Sequence, residues 1–158
     1  MLKYVDTAVT FAEFPNEISL CINISGCNCF CDGCHSPYLS KDIGEVLSLE
    51  RLQGLIESNK GITLVGFMGG DSDPKEINKL AKWVRENYPE LHIGWYSGKQ
   101  ELADSVIDID NFDYLKLGPY MKQFGPLNNP NTNQKFYKID RKAHIMIWCT
   151  DIFWEEAE

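Results

Sequence analysis

Glu17-Ile18-Ser19-Leu20-Cys21-Ile22-Asn23-Ile24 runs without a break into Ser25-Gly26-Cys27-Asn28-Cys29-Phe30-Cys31-Asp32-Gly33-Cys34-His35. The first part alternates, which puts Ile18, Leu20, Ile22 and Ile24 on one face of a strand and Ser19, Cys21 and Asn23 on the other. The strand therefore delivers a cysteine-rich segment at its carboxyl end, the edge where α/β sheets build their sites.

Upstream, Tyr4 to Phe14 mixes apolar and polar residues and ends at the turn signal Pro15-Asn16, so it reads as an extended lead-in. Downstream, strand and helix patterns alternate. Ser48 caps a helix whose Leu49, Leu52, Leu55 and Ile56 share one side, with Gly61 as its stop. Ile62 to Phe67 reads as a buried strand ending in Met68-Gly69-Gly70-Asp71, and adjacent glycines there allow close approach to the backbone. Asp73, Pro74 and Glu76 announce the next helix, with Ile77, Leu80, Ala81 and Val84 as its inner stripe.

Leu91 to Tyr96 is then a strand closing in Ser97-Gly98, Lys99 to Val106 a short helix, and Tyr114 to Leu117 a strand closing in Gly118-Pro119. Such alternation predicts parallel βαβ units with right-handed crossovers, which gathers all these strand ends on one rim. Tyr120 to Asn133, rich in Gly, Pro and Asn, is a long polar loop of the kind that carries function. Lys135 to Ile139 and His144 to Trp148, joined by Asp140-Arg141-Lys142, predict a C-terminal hairpin.

Four of the chain's six cysteines stand in the quoted segment. Cys27-x-x-x-Cys31-x-x-Cys34 offers thiolates for three corners of a cubane iron-sulfur cluster and leaves the fourth iron open. A cluster closed by four cysteines mainly passes electrons, whereas an open iron can bind a substrate. Zinc is a competing reading, but its fourth ligand would have to be His35, directly adjacent to Cys34. A disulfide framework is another, although this crowding without a signal peptide suits a reducing compartment better. Cys29 is a spare thiol between ligands, and Cys21 and Cys149 are packing residues. His92 and His144 lie in strand and hairpin patterns that suit structural roles.

The 158 residues suit a single domain, 1–158, with a substantial core, and no apolar run approaches a membrane span. The start, Met1 to Asp6, lacks a secretory pattern, so a cytoplasmic location is expected. A formal charge of -8 argues against nucleic-acid partners.

Taken together, these residues resemble the radical S-adenosylmethionine superfamily, and within it the activating proteins of anaerobic ribonucleoside-triphosphate reductase. Cys27, Cys31 and Cys34 stand where the superfamily has its cluster ligands, and Gly69-Gly70-Asp71 where it has Gly-Gly-Glu. The closer likeness rests on Gly94-Trp95-Tyr96-Ser97-Gly98, on Asp113 to Tyr120, and on Thr132-Asn133-Gln134 followed by Phe136-Tyr137. Gly33 replaces the aromatic residue common before the third cysteine, and Asp71 is one methylene shorter than Glu.

The resemblance implies an incomplete, open (β/α) barrel with a C-terminal β-hairpin, a 4Fe-4S cluster and S-adenosylmethionine as cofactors. It implies contacts to S-adenosylmethionine from Gly33, His35, Gly69, Gly70, Asp71, Ser97 and Lys116. Asn133 and Gln134 would meet a glycine loop or a nucleoside, or else order their own loop. The implied activity is reductive cleavage of S-adenosylmethionine to generate a glycyl radical on the reductase, with flavodoxin or ferredoxin as electron donor. An activase of a different glycyl radical enzyme, or a non-enzymatic iron-sulfur or zinc module, are the alternatives.

Overall fold

A computed structural model describes residues 1–26 and 43–154. The cysteine segment, with Cys27, Cys29, Cys31, Gly33, Cys34 and His35, lies outside the described residues. The element order is β1 (Lys3–Thr10), β2 (Ser19–Ile24), β3 (Glu45–Val46), α1 (Leu49–Glu57), β4 (Leu64–Met68), α2 (Pro74–Asn87), β5 (His92–Tyr96), β6 (Tyr114–Leu117), β7 (Lys135–Asp140) and β8 (Ile145–Trp148). Single 3-10 turns occupy Ile109–Asn111 and Thr150–Phe153.

The helices begin where the sequence places their caps. Ser48 Oγ accepts from Arg51 N at 3.0 Å, and Asp73 Oδ1 from Glu76 N at 3.2 Å, each satisfying a first-turn donor. Pro74 stands at the start of α2, where its missing N–H costs nothing.

All eight strands join one mixed sheet in the order β3-β1-β2-β4-β5-β6-β7-β8. Its centre is parallel, with β2 on β4, β4 on β5 and β5 on β6. Both flanks are antiparallel. The architecture is therefore an open mixed sheet and not a (β/α) barrel, which corrects the expectation drawn from the resemblance. A barrel needs a helix behind successive strands and two edges that meet. Among the described residues only α1 and α2 are α-helices, and β3 and β8 remain edges.

Two local expectations are corrected as well, and one is sharpened. Lys99 to Val106 forms bends and turns, not a helix. The lead-in is extended as expected, and over Lys3–Thr10 it is the strand β1, paired with β2 from Tyr4↔Ile24 to Thr10↔Ser19. The second face of the first quoted strand is covered as well, because Ser19 and Cys21 are buried along with Leu20, Ile22 and Ile24, and only Asn23 is half-buried. The C-terminal hairpin is present as β7 and β8.

Each face of the sheet carries its own core. Leu52 and Ile56 of α1 and Ile77, Leu80, Ala81 and Val84 of α2 pack on one face against Leu20, Ile22, Val65, Phe67, Ile93 and Trp95. On the other, Phe14 lies over the register pair Gly66↔Gly94 and packs with Cys21, Leu64 and Phe136. A Cβ at Gly94 would stand 2.2 Å from the Phe14 ring and one at Gly66 2.7 Å, so the two glycines form the slot that the ring fills.

Candidate functional site

Parallel pairing puts the carboxyl ends of β2, β4, β5 and β6 on one rim. At the end of β2, Ser25 is buried, and its Oγ donates to Ile43 O at 2.5 Å while its N–H donates to Lys3 O at 2.9 Å. The chain thus leaves the described body after Gly26, at φ 73°, and rejoins it beside the point of departure. Gly44, at φ 97°, completes the return, and a Cβ there would sit 2.1 Å from Tyr4 O.

Gly69 and Gly70 end β4 at φ 108° and 95°, in the region open to glycine. Their carbonyls accept from Trp95 Nε1 at 2.7 Å and from Asp73 N at 3.1 Å, and each carbonyl retains a second lone pair. Asp71 turns toward the end of β5. It accepts from Ser97 Oγ at 2.5 Å and from Gly98 N at 2.8 Å.

From Ser97 the connection continues to β6. Lys116 is 8% exposed, and its Nζ donates to Ser97 O at 3.0 Å and Gly118 O at 3.1 Å while lying 5.3 Å from the centre of the Tyr96 ring. A buried ammonium survives only with such partners. Beyond β6, Asn133 Nδ2 donates to Pro119 O at 3.0 Å, and Gly118 approaches Gln134 so closely that a Cβ would lie 3.2 Å from its Cα. Gly69, Gly70, Asp71, Ser97, Lys116, Asn133 and Gln134 are therefore brought together, although they are spread over three strand ends and a loop.

A cavity of about 510 Å³ opens beside these residues on the Phe14 face, lined among others by Glu13, Tyr96, Lys116, Tyr120, Gln134 and Phe153. Glu13 faces Lys116 there. Burial raises the Glu13 carboxyl above its usual value, and the lysine charge opposes that rise only in part. Burial also holds the Tyr96 phenol well above its usual range, so it stays protonated, and its hydroxyl donates to Glu13 O. Sequence reading places Tyr120 on this rim with Gly118-Pro119 but does not single out Glu13 or Phe153 as site residues. Their positions follow from the sheet's long-range pairing, and no local pattern marks them.

The remaining titratable expectations can be placed too. Burial pushes the Cys21 thiol up to about 12 and also raises that of Cys149, so both stay protonated at neutral pH, as suits packing residues. His92 Nδ1 is 2.6 Å from Glu17 Oε2, at the far end of the strands, and His144 Nδ1 is 2.5 Å from Asp110 Oδ2. Among the described residues no group of three or more Cys, His, Asp or Glu is placed to hold a metal, and no helix is long and apolar enough to cross a membrane.

The cavity volume is in the range of small-molecule sites. It presents an ammonium, a carboxyl and amide groups, and the neighbouring Asn133 Oδ1 is a buried acceptor with no partner among the described residues.

A family model described as a 4Fe-4S single cluster domain matches residues 18–117, well over half of the chain. That span runs from β2 through the cysteine segment to the end of β6, and so takes in every parallel strand. No curated protein and no solved structure matches the chain.

Proposed function

Because the chain belongs to the family of 4Fe-4S single cluster domains, we propose that Cys27, Cys31 and Cys34 hold the cluster and that the chain is a radical S-adenosylmethionine activase. Its substrate is anaerobic ribonucleoside-triphosphate reductase, on which it generates a glycyl radical, and flavodoxin or ferredoxin supplies the electron. Gly33 and His35 belong to the same site. The observation that carries this reading is the meeting of two features at one rim. The cysteine segment springs from the end of β2 and returns at Ile43, beside the strand ends that carry Gly69, Asp71, Ser97 and Lys116.

The chemistry supplied by the bound group is a single electron to the sulfonium, which releases methionine and a carbon radical able to take hydrogen from a glycine. The chain's own residues bind and orient. Gly69 and Gly70 offer carbonyl lone pairs to an ammonium, and Lys116 sets a positive charge beside the cavity for a carboxylate. Asp71 and Ser97 hold the β5 end against the β4 end, so those donors and acceptors keep a fixed spacing. Asn133 and Gln134 line the approach from the 120–134 loop. Tyr96 and Phe153 line the cavity over buried Phe14 and help to exclude water there, and water exclusion protects a carbon radical.

Anaerobic reconstitution followed by incubation with S-adenosylmethionine and a strong reductant tests the proposal. Methionine and 5'-deoxyadenosine should accumulate, and a doublet in electron paramagnetic resonance should appear on added reductase. Iron without cleavage would make this a non-enzymatic module. Cleavage without the doublet would point to an activase of a different glycyl radical enzyme.

A further inference from the structure

The two edges of the sheet differ in a way that concerns neither the rim nor its cavity. At one edge β3 is two residues long, and its Glu45 pairs with Arg51 at 2.9 Å. Short, charged edges resist pairing with another strand. At the other edge β8 reads Ile145-Met146-Ile147-Trp148, with no charge and no proline, and Ile145, Ile147 and Trp148 are 49%, 45% and 47% exposed.

The backbone bond from Cys149 N to Phe136 O, at 2.9 Å, sets the phase of the β7–β8 ladder. By alternation, Ile145 and Ile147 turn their N–H and C=O toward β7, and Met146 and Trp148 turn theirs outward. We propose that this outward edge pairs antiparallel with β8 of a second copy of the chain, about a two-fold axis at Ile147.

Only that register pairs all four outward groups, those of Met146 with those of Trp148 in the other copy and the reverse. On one face each Met146 thioether meets an indole across the junction. On the other, the two Ile147 side chains meet at a non-hydrogen-bonded position, where opposing Cβ atoms come closest. Ile147 is thereby covered by its counterpart and Trp148 by Met146 of the other copy, and Ile145 lies opposite Cys149 of that copy.

Charge favours the same occupant. The turn before β8 carries exposed Arg141 and Lys142, and the segment after it carries exposed Asp151. Arg141 also reaches Asp113 at 3.8 Å. Antiparallel pairing sets the basic turn of each copy beside Asp151 of the other. Parallel pairing would set the basic turns against each other and Asp151 against Asp151.

Sedimentation velocity on the full chain should give a two-chain mass. Ile147→Asp puts two carboxylates on the axis, and because the residue is half exposed the fold should persist by circular dichroism. The expected result is a one-chain mass, with the dissociation constant raised roughly a hundredfold or more. Ile147→Lys repeats the test with the opposite charge. Lys142→Asp should weaken pairing about tenfold, and Lys142→Asp with Asp151→Lys should restore it. A one-chain mass for the parent, or a two-chain mass indifferent to both Ile147 variants, overturns the proposal. Loss in the Ile147 variants without charge-swap restoration overturns the antiparallel register.

Discussion

Asp71 Oδ1 and Ser97 Oγ lie 2.5 Å apart, and the other oxygen of the same carboxylate takes the Gly98 N–H at 2.8 Å. One side chain thus joins two strand ends, and Ser97 extends the connection through its carbonyl to Lys116. The acid that the resemblance places against S-adenosylmethionine is also a brace for the floor beneath any ligand. Asp71→Ala leaves the buried Ser97 hydroxyl without its acceptor, a loss of about 1–3 kcal/mol. Asp71→Asn keeps an oxygen for Ser97 but turns an amide toward the Gly98 N–H, and should lose less. Thermal unfolding followed by circular dichroism gives the order: parent above Asn above Ala.

Ser25→Ala removes the donor that joins the two ends of the cysteine segment, at a cost of about 1 kcal/mol in stability. A larger effect is expected on metal retention, read as iron per chain after reconstitution. Gly44→Ala should be worse than Ser25→Ala, because the new Cβ meets Tyr4 O at 2.1 Å in a positive-φ residue. Iron content equal to the parent in both variants would sever the tether from cluster binding.

Phe14→Ala empties the slot over Gly66 and Gly94 and should cost about 3–5 kcal/mol. Gly94→Ala should also destabilise, since its Cβ would enter the ring's space. In a Phe14→Leu background the Gly94→Ala penalty should shrink, and a double-mutant cycle by urea denaturation measures that coupling. Strict additivity would mean that ring and glycine do not share the space.

Glu13 supplies a pH dependence. Its folded carboxyl lies above the usual 4.5, chiefly through burial, so between that value and the folded pKa the native state holds more protons than the unfolded chain. Its contribution to stability is full below 4.5 and falls as pH rises through the folded pKa. Glu13→Gln should therefore match the parent in melting temperature under acid conditions and exceed it near neutrality. A difference that does not change with pH would place the effect elsewhere.

Cys34→Ala should abolish both iron binding and cleavage of S-adenosylmethionine, and Cys29→Ala should spare both. Iron analysis with product chromatography decides this, and equal loss in the two variants overturns the ligand assignment.

Local signals in the sequence were read well where a few adjacent residues determine the outcome. The Asp73-Pro74 start of α2 and the Tyr114–Leu117 strand are of this kind. β1 was harder, because only Tyr4 of its eight residues is buried and its pairing with β2 is made across a turn. Leu102, Ala103 and Ile107 suggest a helix, yet they join the main core from turns. Barrel closure is a property of two distant edges, on which no short stretch bears. At the site, the glycines at strand ends were visible, whereas the partner of Asp71 stands 26 residues away and Glu13 enters through the Phe14 segment. Such juxtapositions depend on register, which is settled by the whole sheet.

The meeting of Ser25 with Ile43 has a consequence for how this chain can change. A segment whose two ends are pinned together pays for added length only logarithmically, about 0.6 kcal/mol for each doubling. The join therefore acts as a socket. Inserts of different length or composition can be exchanged between Gly26 and Ile43 while the sheet beneath keeps its register, so the chain's metal chemistry can diversify, or be re-engineered, without redesign of its scaffold.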